Sequence, residues 1–439
     1  MSTPALEKAV RSAFQSYQEK SYEKATLQCR QVLMRRPKNA DALHVLSLIA
    51  LDQGDTTRAI ALLQKAITHA PHHLQYELSL GNAYQTAQQY QAAIDTFQLS
   101  LGRSSAPATL HANIGYAYYK LGQTTQAIAS LQRAVELDPS HTEAWSNLGS
   151  ALATAKRWTE AEAAYHMALG QRPDFLQPMI DLARVKSERN QSETAIATLK
   201  ELCLAEPTNV AAHAALGEAY AKSGNIVEAQ AAYMAAITLN PSDELRIRHA
   251  ILQPIIHESH ASLQQHRLEF EHRLDALLCQ IPTEEPPLSA LPTSQFYVAY
   301  HGLNDRTIQE KLGIFAAKTW PSLTQHQRTR SLNTGRIRVG FCSRFFSHHT
   351  ILKLMAGVLI GLPRDLFDIR IIIADPDRAT LNQVITQFCP QDTIHVVPLD
   401  MVQAQSAIAA LDLDVLIYPD MGMAPWSYGL AQSRLAPIQ

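Results

Sequence analysis

Residues 139–173 read PSHTEAWSNLGSALATAKRWTEAEAAYHMALGQRP, and the two prolines that bracket the stretch belong to a longer series. Pro37, Pro71, Pro139, Pro173, Pro207 and Pro241 fall on one 34-residue ruler, with Ser105 at the single tick that lacks proline. A fixed period of this length marks a chain built from stacked copies of one supersecondary unit. With the proline set as position 32, position 20 is alanine in all seven copies: Ala25, Ala59, Ala93, Ala127, Ala161, Ala195 and Ala229. Position 8 is always small: Ala13, Ser47, Gly81, Gly115, Gly149, Ala183 and Gly217. Two antiparallel helices approach closely only where neither carries bulk at the crossing, so these columns are expected to supply that gap on each helix of a hairpin. Large residues occupy complementary columns, as Trp145, Leu148, Leu152 and Tyr165 do in the fifth copy and Leu216, Tyr220 and Tyr233 in the seventh. The proline cannot continue the helix before it and so begins the next unit.

This is the tetratricopeptide (TPR) pattern; a generic bundle with alanine-rich seams would not hold one register through seven copies. Beyond Pro241 the ruler places Ile251 at position 8 and Leu263 at position 20, so the array is expected to end near residue 243. The expected architecture is an α-solenoid whose concave face, lined by the first helix of each pair, suits an extended peptide or a partner helix. A clamp for a chaperone's C-terminal carboxylate would need Lys and Asn where this chain has Val10 and Phe14, so that use is set aside.

The chain of 439 residues is long enough for two or three domains. Its 38 basic and 40 acidic side chains leave a formal net charge of -2 and no basic stripe, which argues against nucleic acid as a partner. No apolar run reaches the roughly 18 residues of a bilayer span, and residues 1–20 lack the continuous apolar centre of a signal peptide, so no membrane association and a cytoplasmic location are expected. Cys29, Cys203, Cys279, Cys342 and Cys389 are scattered and form no C-x-x-C pair, which suggests neither a disulfide framework nor a structural zinc site.

Residues 243–280 read as two helices broken near Pro254, and Pro282, Pro286, Pro287 and Pro292 mark an irregular connector. His257, His260, His266 and His272 fall in the second of these helices; only His257 and His260 would share a face, so no metal site is expected there. A further helix is expected from about Asp305 to Lys318.

Apolar runs at 337–341, 369–374, 394–398 and 415–418 read as strands, and 351–362, 381–388 and 402–411 as helices between them. Strands of this buried type alternating with helices predict a parallel, doubly wound sheet with ligands at the carboxyl ends of the strands. The first strand-to-helix turn, Ser343 to Thr350, holds no glycine, so the phosphate cradle of an NAD or FAD enzyme is absent.

The stretch Arg336-Ile337-Arg338-Val339-Gly340-Phe341 leading into Ser343, then His349 and Leu354-Met355, together with Asp412-Leu413-Asp414-Val415-Leu416-Ile417 and Arg434-Leu435-Ala436-Pro437-Ile438-Gln439, resembles the O-GlcNAc transferase and SPINDLY-like glycosyltransferases. Residues 296–306 look like the pre-catalytic stretch of the bacterial TPR-linked branch of that family. The resemblance, with the repeats, covers almost the whole chain. It implies a two-domain GT-B catalytic region after the repeats, a nucleotide-sugar substrate such as UDP-GlcNAc and no further cofactor or metal. His349 matches a histidine that in the better-known branch lies in an Asn-His-Pro loop at the active site; here its neighbours are His348 and Thr350, and the alternative is a loop histidine that caps a helix or faces water. Lys353 is a candidate phosphate partner or a solvated lysine. Asp420 and Gly422 follow the fourth strand, where ligand groups collect, although turn chemistry explains Asp-x-Gly equally well. The family's ladder of asparagines at position 6 of the repeats reads here Arg11, Val45, Ser79, Asn113, Asn147, Asp181 and Ala215, so peptide binding is expected to centre on Asn113 and Asn147.

Family members continue past the Ala-Pro-Ile-Gln stretch into the rest of the first domain and a second, donor-binding domain, so the sequence reads as a truncated product or fragment, inactive alone. The expected organisation is seven TPR repeats over 1–243, a helical adaptor and linker over 244–335, and an incomplete Rossmann-like N-terminal catalytic domain over 336–439. The leading function is a protein glycosyltransferase, or its N-terminal portion, with a polypeptide acceptor on the TPR face; the alternative is a non-catalytic TPR interaction adaptor. Fucose or glucose as donor, or asparagine as acceptor, stays open.

Overall fold

The computed structural model describes residues 3–102, 107–292, 295–324, 335–346, 350–374, 393–421 and 425–439. The chain falls into two compact units, Met1–Leu199 and Lys200–Gln439.

Unit 1 is made of antiparallel helical hairpins: α1 (Thr3–Gln18) with α2 (Tyr22–Arg35), α3 (Ala40–Asp52) with α4 (Thr56–His69), α5 (Leu74–Thr86) with α6 (Tyr90–Leu101), α7 (Pro107–Lys120) with α8 (Thr124–Leu137), and α9 (Thr142–Thr154) with α10 (Trp158–Gln171). A sixth pair begins with α11 (Leu176–Glu188) and α12 (Ser192–Ala205). At the starts of α3 and α4 a side chain satisfies a free backbone N–H: Asn39 accepts from Ala42 N at 2.8 Å and Asp55 from Arg58 N at 3.0 Å. Each hairpin turn places its position 15 in the left-handed region, in unit 1 at Lys20, Gly54, Gln88, Gly122, Lys156 and Asn190. Glycine meets that requirement without strain only at Gly54 and Gly122 of these six.

The position-20 alanines Ala25, Ala59, Ala93, Ala127, Ala161 and Ala195 are fully buried, as the period requires. The partner of the small position-8 column differs from the expectation. A Cβ added to Gly149 would lie 2.6 Å from the Tyr165 ring and one added to Gly115 2.6 Å from Leu131, while Gly81 faces Phe97 in the same way. The space left by the first helix is thus filled mainly by the large residue at position 24 of the second, four residues beyond the alanine and one helical turn along the same face. The alanine backs that contact: the Ala127 carbonyl would sit 3.2 Å from a Cβ on Gly115.

Unit 2 opens with the rest of α12 and a hairpin of the same kind, α13 (Val210–Lys222) with α14 (Ile226–Leu239), in which Gly217 makes room for Tyr233. After it come α15 (Asp243–Ala250) and α16 (His260–Cys279), followed by α17 (Arg306–Thr319). The stretch between α16 and α17 carries short 3-10 turns at Leu288–Ala290 and Gln295–His301. Ala290, Leu291 and Val298 pack with Phe315 and Trp320, whose indole donates to the Pro286 carbonyl at 2.8 Å.

Four strands follow: β1 (Ile337–Cys342), β2 (Phe367–Ile373), β3 (Thr393–Val396) and β4 (Val415–Ile417). They form one parallel sheet in the order β3-β2-β1-β4, with Val339 opposite both Ile369 and Val415. Parallel strands need crossovers, supplied by α18 (Thr350–Gly361) and α19 (Met401–Ala409); α20 (Pro425–Leu430) follows β4. The expected helix at 381–388 lies outside the described residues. The strands read as continuous apolar runs because both faces are covered. Phe341, Ile369, Ile371 and Ile373 pack on Leu352 and Leu359 of α18. Cys342, Ile372 and Leu416 share the opposite core with Ile408, Leu312 and Phe315.

Candidate peptide-binding face and sheet end

Within unit 1 the first helices approach one another, α1 with α3, α3 with α5, α7 with α9 and α9 with α11, so they line the inner side of the stack. On it the third to fifth hairpins present polar groups. Asn113 and Asn147 are half-buried on α7 and α9. Asn113 donates to Asn82 Oδ1 at 3.4 Å, and Gln85 donates to the Asn113 carbonyl at 2.9 Å. Lys120 lies over the rings of Tyr116 and Tyr119, at 5.3 and 5.9 Å from their centroids. Ser150 bonds the Tyr165 hydroxyl at 3.1 Å. The row of amides, hydroxyls and aromatic faces can bond the N–H and C=O groups of an extended chain and pack against its side chains.

The rest of the position-6 column explains why the row is short. Val45 is 2% exposed and Ser79 6%, so both belong to the packing between hairpins. Ser79 is taken up by the buried imidazole of His44, 2.8 Å away. Burial holds His44 down at about 4 on its pKa, against the opposing pull of Asp41, with His73 adding to the depression. Asn82, Gln85 and Tyr116 escaped the sequence reading because it followed position 6 alone. One helical turn further along the same face, position 9, would have found Asn82 and Tyr116.

At the sheet end, Asp420 is completely buried just past β4. Its Oδ2 accepts from Ser427 Oγ at 2.8 Å and from Arg344 N at 3.3 Å, joining the turn after β1 to that after β4. In the order β3-β2-β1-β4 the chain reverses direction across the sheet between β1 and β4, so Asp420 stands at the topological switch point. Asp420 Oδ1, the Tyr418 hydroxyl and Trp426 Nε1 are buried without a hydrogen-bond partner among the described residues. Lys353 is exposed on α18. His349 and Gly422 lie outside the described residues.

Of the histidines read as one helical group, His257 lies before α16, which starts at His260 behind a Ser259 cap. His257 instead sits between His266 and His301, its two ring nitrogens 3.2 Å from one nitrogen of each. Among the described residues no group of three or more His, Cys, Asp or Glu is arranged to hold a metal ion, and no helix is long and apolar enough to cross a membrane.

The profile of the family described as cilia and flagella-associated protein 70 C-terminal domain, a TPR family, matches residues 5–250, more than half of the chain. Superkiller protein 3 of Schizosaccharomyces pombe is 24% identical over 211 residues, covering 46% of this chain and 15% of that protein. A peroxisomal targeting signal receptor of Saccharomyces cerevisiae is 26% identical over 156 residues, covering 34% of this chain and 25% of the receptor. The chain therefore spans a quarter or less of the length of these two relatives. Among solved structures, a TPR protein of Parabacteroides merdae aligns with a TM-score of 0.47 at 16% identity, over 63% of this chain and 98% of that one.

Proposed function

Because the chain belongs to the family of the cilia and flagella-associated protein 70 C-terminal domain, whose matched region is its TPR hairpins, we propose that it is a protein-interaction adaptor that holds an extended polypeptide segment on the inner face of unit 1. The observation that carries this reading is the polar row Asn82, Gln85, Asn113, Tyr116 and Asn147 on consecutive first helices, next to an α3 whose position-6 residue, Val45, is buried. A relative named as a receptor for a targeting signal fits the same role. Asn113→Ala combined with Asn147→Ala removes two amides from half-buried positions without touching the core. Against a peptide selected from a random display library on the intact chain, the double variant should bind at least tenfold more weakly with an unchanged unfolding midpoint. Equal affinity would place the segment elsewhere.

A second reading is favoured by one observation, the buried Asp420 at the switch point of a parallel sheet. There the chain would serve a glycosyl transfer from a nucleotide sugar such as UDP-GlcNAc to the held polypeptide, with His349, Lys353 and Gly422 as the further residues that the family resemblance nominates. In such a site the residues' work is positioning and the neutralising of donor phosphate by cationic and N–H groups. Titration of the chain with UDP- and GDP-sugars, beside a radiolabel transfer assay, tests it. Micromolar binding that Asp420→Asn abolishes supports the reading, and no binding in the millimolar range leaves the adaptor alone.

A further inference from the structure

Unit 2 carries a recess where the turn into α14 faces the start of α16 and the segment before it. Its volume is about 390 Å³, and its walls include Val227, Glu228, Ile256, Glu258, Glu269 and Arg273. Two features set it apart from an ordinary crease between helices. Val227 and Ile256 on its walls are 75% and 87% exposed, large aliphatic side chains that no described residue covers. The charged groups are also one-sided, three carboxylates against one guanidinium.

That guanidinium is committed inward. Arg273 donates to the carbonyls of Ala250 at 3.1 Å and Leu252 at 2.5 Å, tying the end of α15 to α16, and burial depresses its pKa. Glu269 accepts from Gln265 at 2.8 Å, a neutral donor, and its charge is kept beside Arg273. Glu228 and Glu258 are exposed and make no ion pair among the described residues. The recess thus offers an aliphatic pair to cover and two carboxylates with no cation of their own.

We propose that this recess docks a basic, aliphatic peptide segment, one in which a Leu or Ile side chain alternates with Lys or Arg. The aliphatic side chain covers Val227 and Ile256, which supplies the favourable burial. The ammonium or guanidinium meets Glu228 and Glu258. Exposed ion pairs contribute little by themselves, so their part is to select the sign of the ligand and its register rather than to hold it. An acidic or neutral segment of the same shape would leave the two carboxylates desolvated against nothing.

Fluorescence anisotropy on the full chain tests this with two labelled peptides of one length, an acetylated Leu-Arg-Leu-Lys-Leu-Arg and its counterpart with Glu at every basic position. The basic peptide should bind in the micromolar range and weaken as salt rises from 50 to 500 mM; the acidic one should not bind. Ile256→Ser should weaken the basic peptide at least tenfold, and Glu228→Gln with Glu258→Gln severalfold with most of the salt dependence lost. Leu204→Ser, an equally exposed apolar position outside the recess, should leave it unchanged. The Asn113→Ala and Asn147→Ala double variant should also leave it unchanged, which separates this site from the inner face of unit 1. Binding of both peptides alike, or of the basic peptide to all variants alike, would overturn the proposal. So would sedimentation showing that wild type self-associates and Ile256→Ser does not, since a second copy would then be the occupant.

Discussion

The hairpins of unit 1 and the sheet of unit 2 bury comparable apolar side chains by opposite means. In the hairpins nearly every partner is close in sequence. Gly149 meets Tyr165 sixteen residues on, and the ion pairs include Arg157 with Glu160 and Arg133 with Glu136. In the sheet the partners are far apart. Arg338 at the start of β1 pairs with Asp414 before β4, its Nη2 3.0 Å from Oδ1 and its own backbone N–H donating to Oδ2 at 2.9 Å, while Asp412 accepts from the same guanidinium. Polar burial differs as well. The buried Glu77 of α5 is met by Ser100 at 2.7 Å and the buried His44 of α3 by Ser79, each from a neighbouring helix or hairpin. Beside the sheet, Asp420, Tyr418 and Trp426 keep buried polar atoms without partners among the described residues. A repeat draws most of its polar partners from its neighbours, with Gln28 Oε1 and Ser187 Oγ the buried exceptions in unit 1 among the described residues, whereas the sheet end gathers three such atoms on one short stretch; burial without partners is tolerated only at a cost that function commonly explains.

The sharpest way to break this contrast is Tyr165→Ala. Removing a fully enclosed aromatic costs about 3 to 5 kcal/mol, and if the stack is built from neighbour contacts, native-state hydrogen exchange should speed up in α8 to α11 while the sheet amides stay protected. Loss of protection in β1 and β2 would show that the two regions do not stand separately.

The next largest effect is one of pH, and it belongs to unit 1. His44 is held neutral with a folded pKa of about 4, below the roughly 6.5 of an unfolded imidazole. Between these values the unfolded chain binds the additional proton, so the stability is complete above about 6.5 and is lost as the pH falls toward 4, at most about 3 kcal/mol. Urea midpoints at pH 7 and pH 4.5 should differ accordingly, and His44→Gln should remove most of the difference. A variant as acid-sensitive as the wild type would show that the buried pair with Ser79 does not carry it.

Asp414→Asn tests the sheet from the other side. It removes the charge that Arg338 grips by side chain and backbone, and hydrogen bonds to a charged group contribute about 1.5 to 3 kcal/mol. Exchange should accelerate at Val339, Phe341 and Leu416 and remain unchanged in the hairpins. The smallest expected change is Ala161→Leu, where overpacking behind the Gly149 and Tyr165 contact costs about 1 to 3 kcal/mol. An unfolding temperature equal to wild type would mean that the repeat register is misplaced.

The strand and helix order of the C-terminal region was legible because each strand is a run of buried aliphatics. The candidate site was legible only at Asn113 and Asn147. Periodicity alone does not reveal that Val45 and Ser79 of the same column are sealed between hairpins, since two neighbouring surfaces decide that. Nor does it reveal that His257 leaves the helix to meet His301, 44 residues on.

The sequence by itself determined the hairpin, its length, its register and the parallel order of strands, because those follow from residues a few positions apart under fixed helical and strand periods. The tertiary structure alone decided that position 8 makes room for position 24, that Asp420 is buried at the junction of β1 and β4, and that Val227 and Ile256 stay uncovered above Glu228 and Glu258. Each of these is set by which surfaces meet in space, and long-range packing, unlike local periodicity, leaves no spacing for a sequence to display.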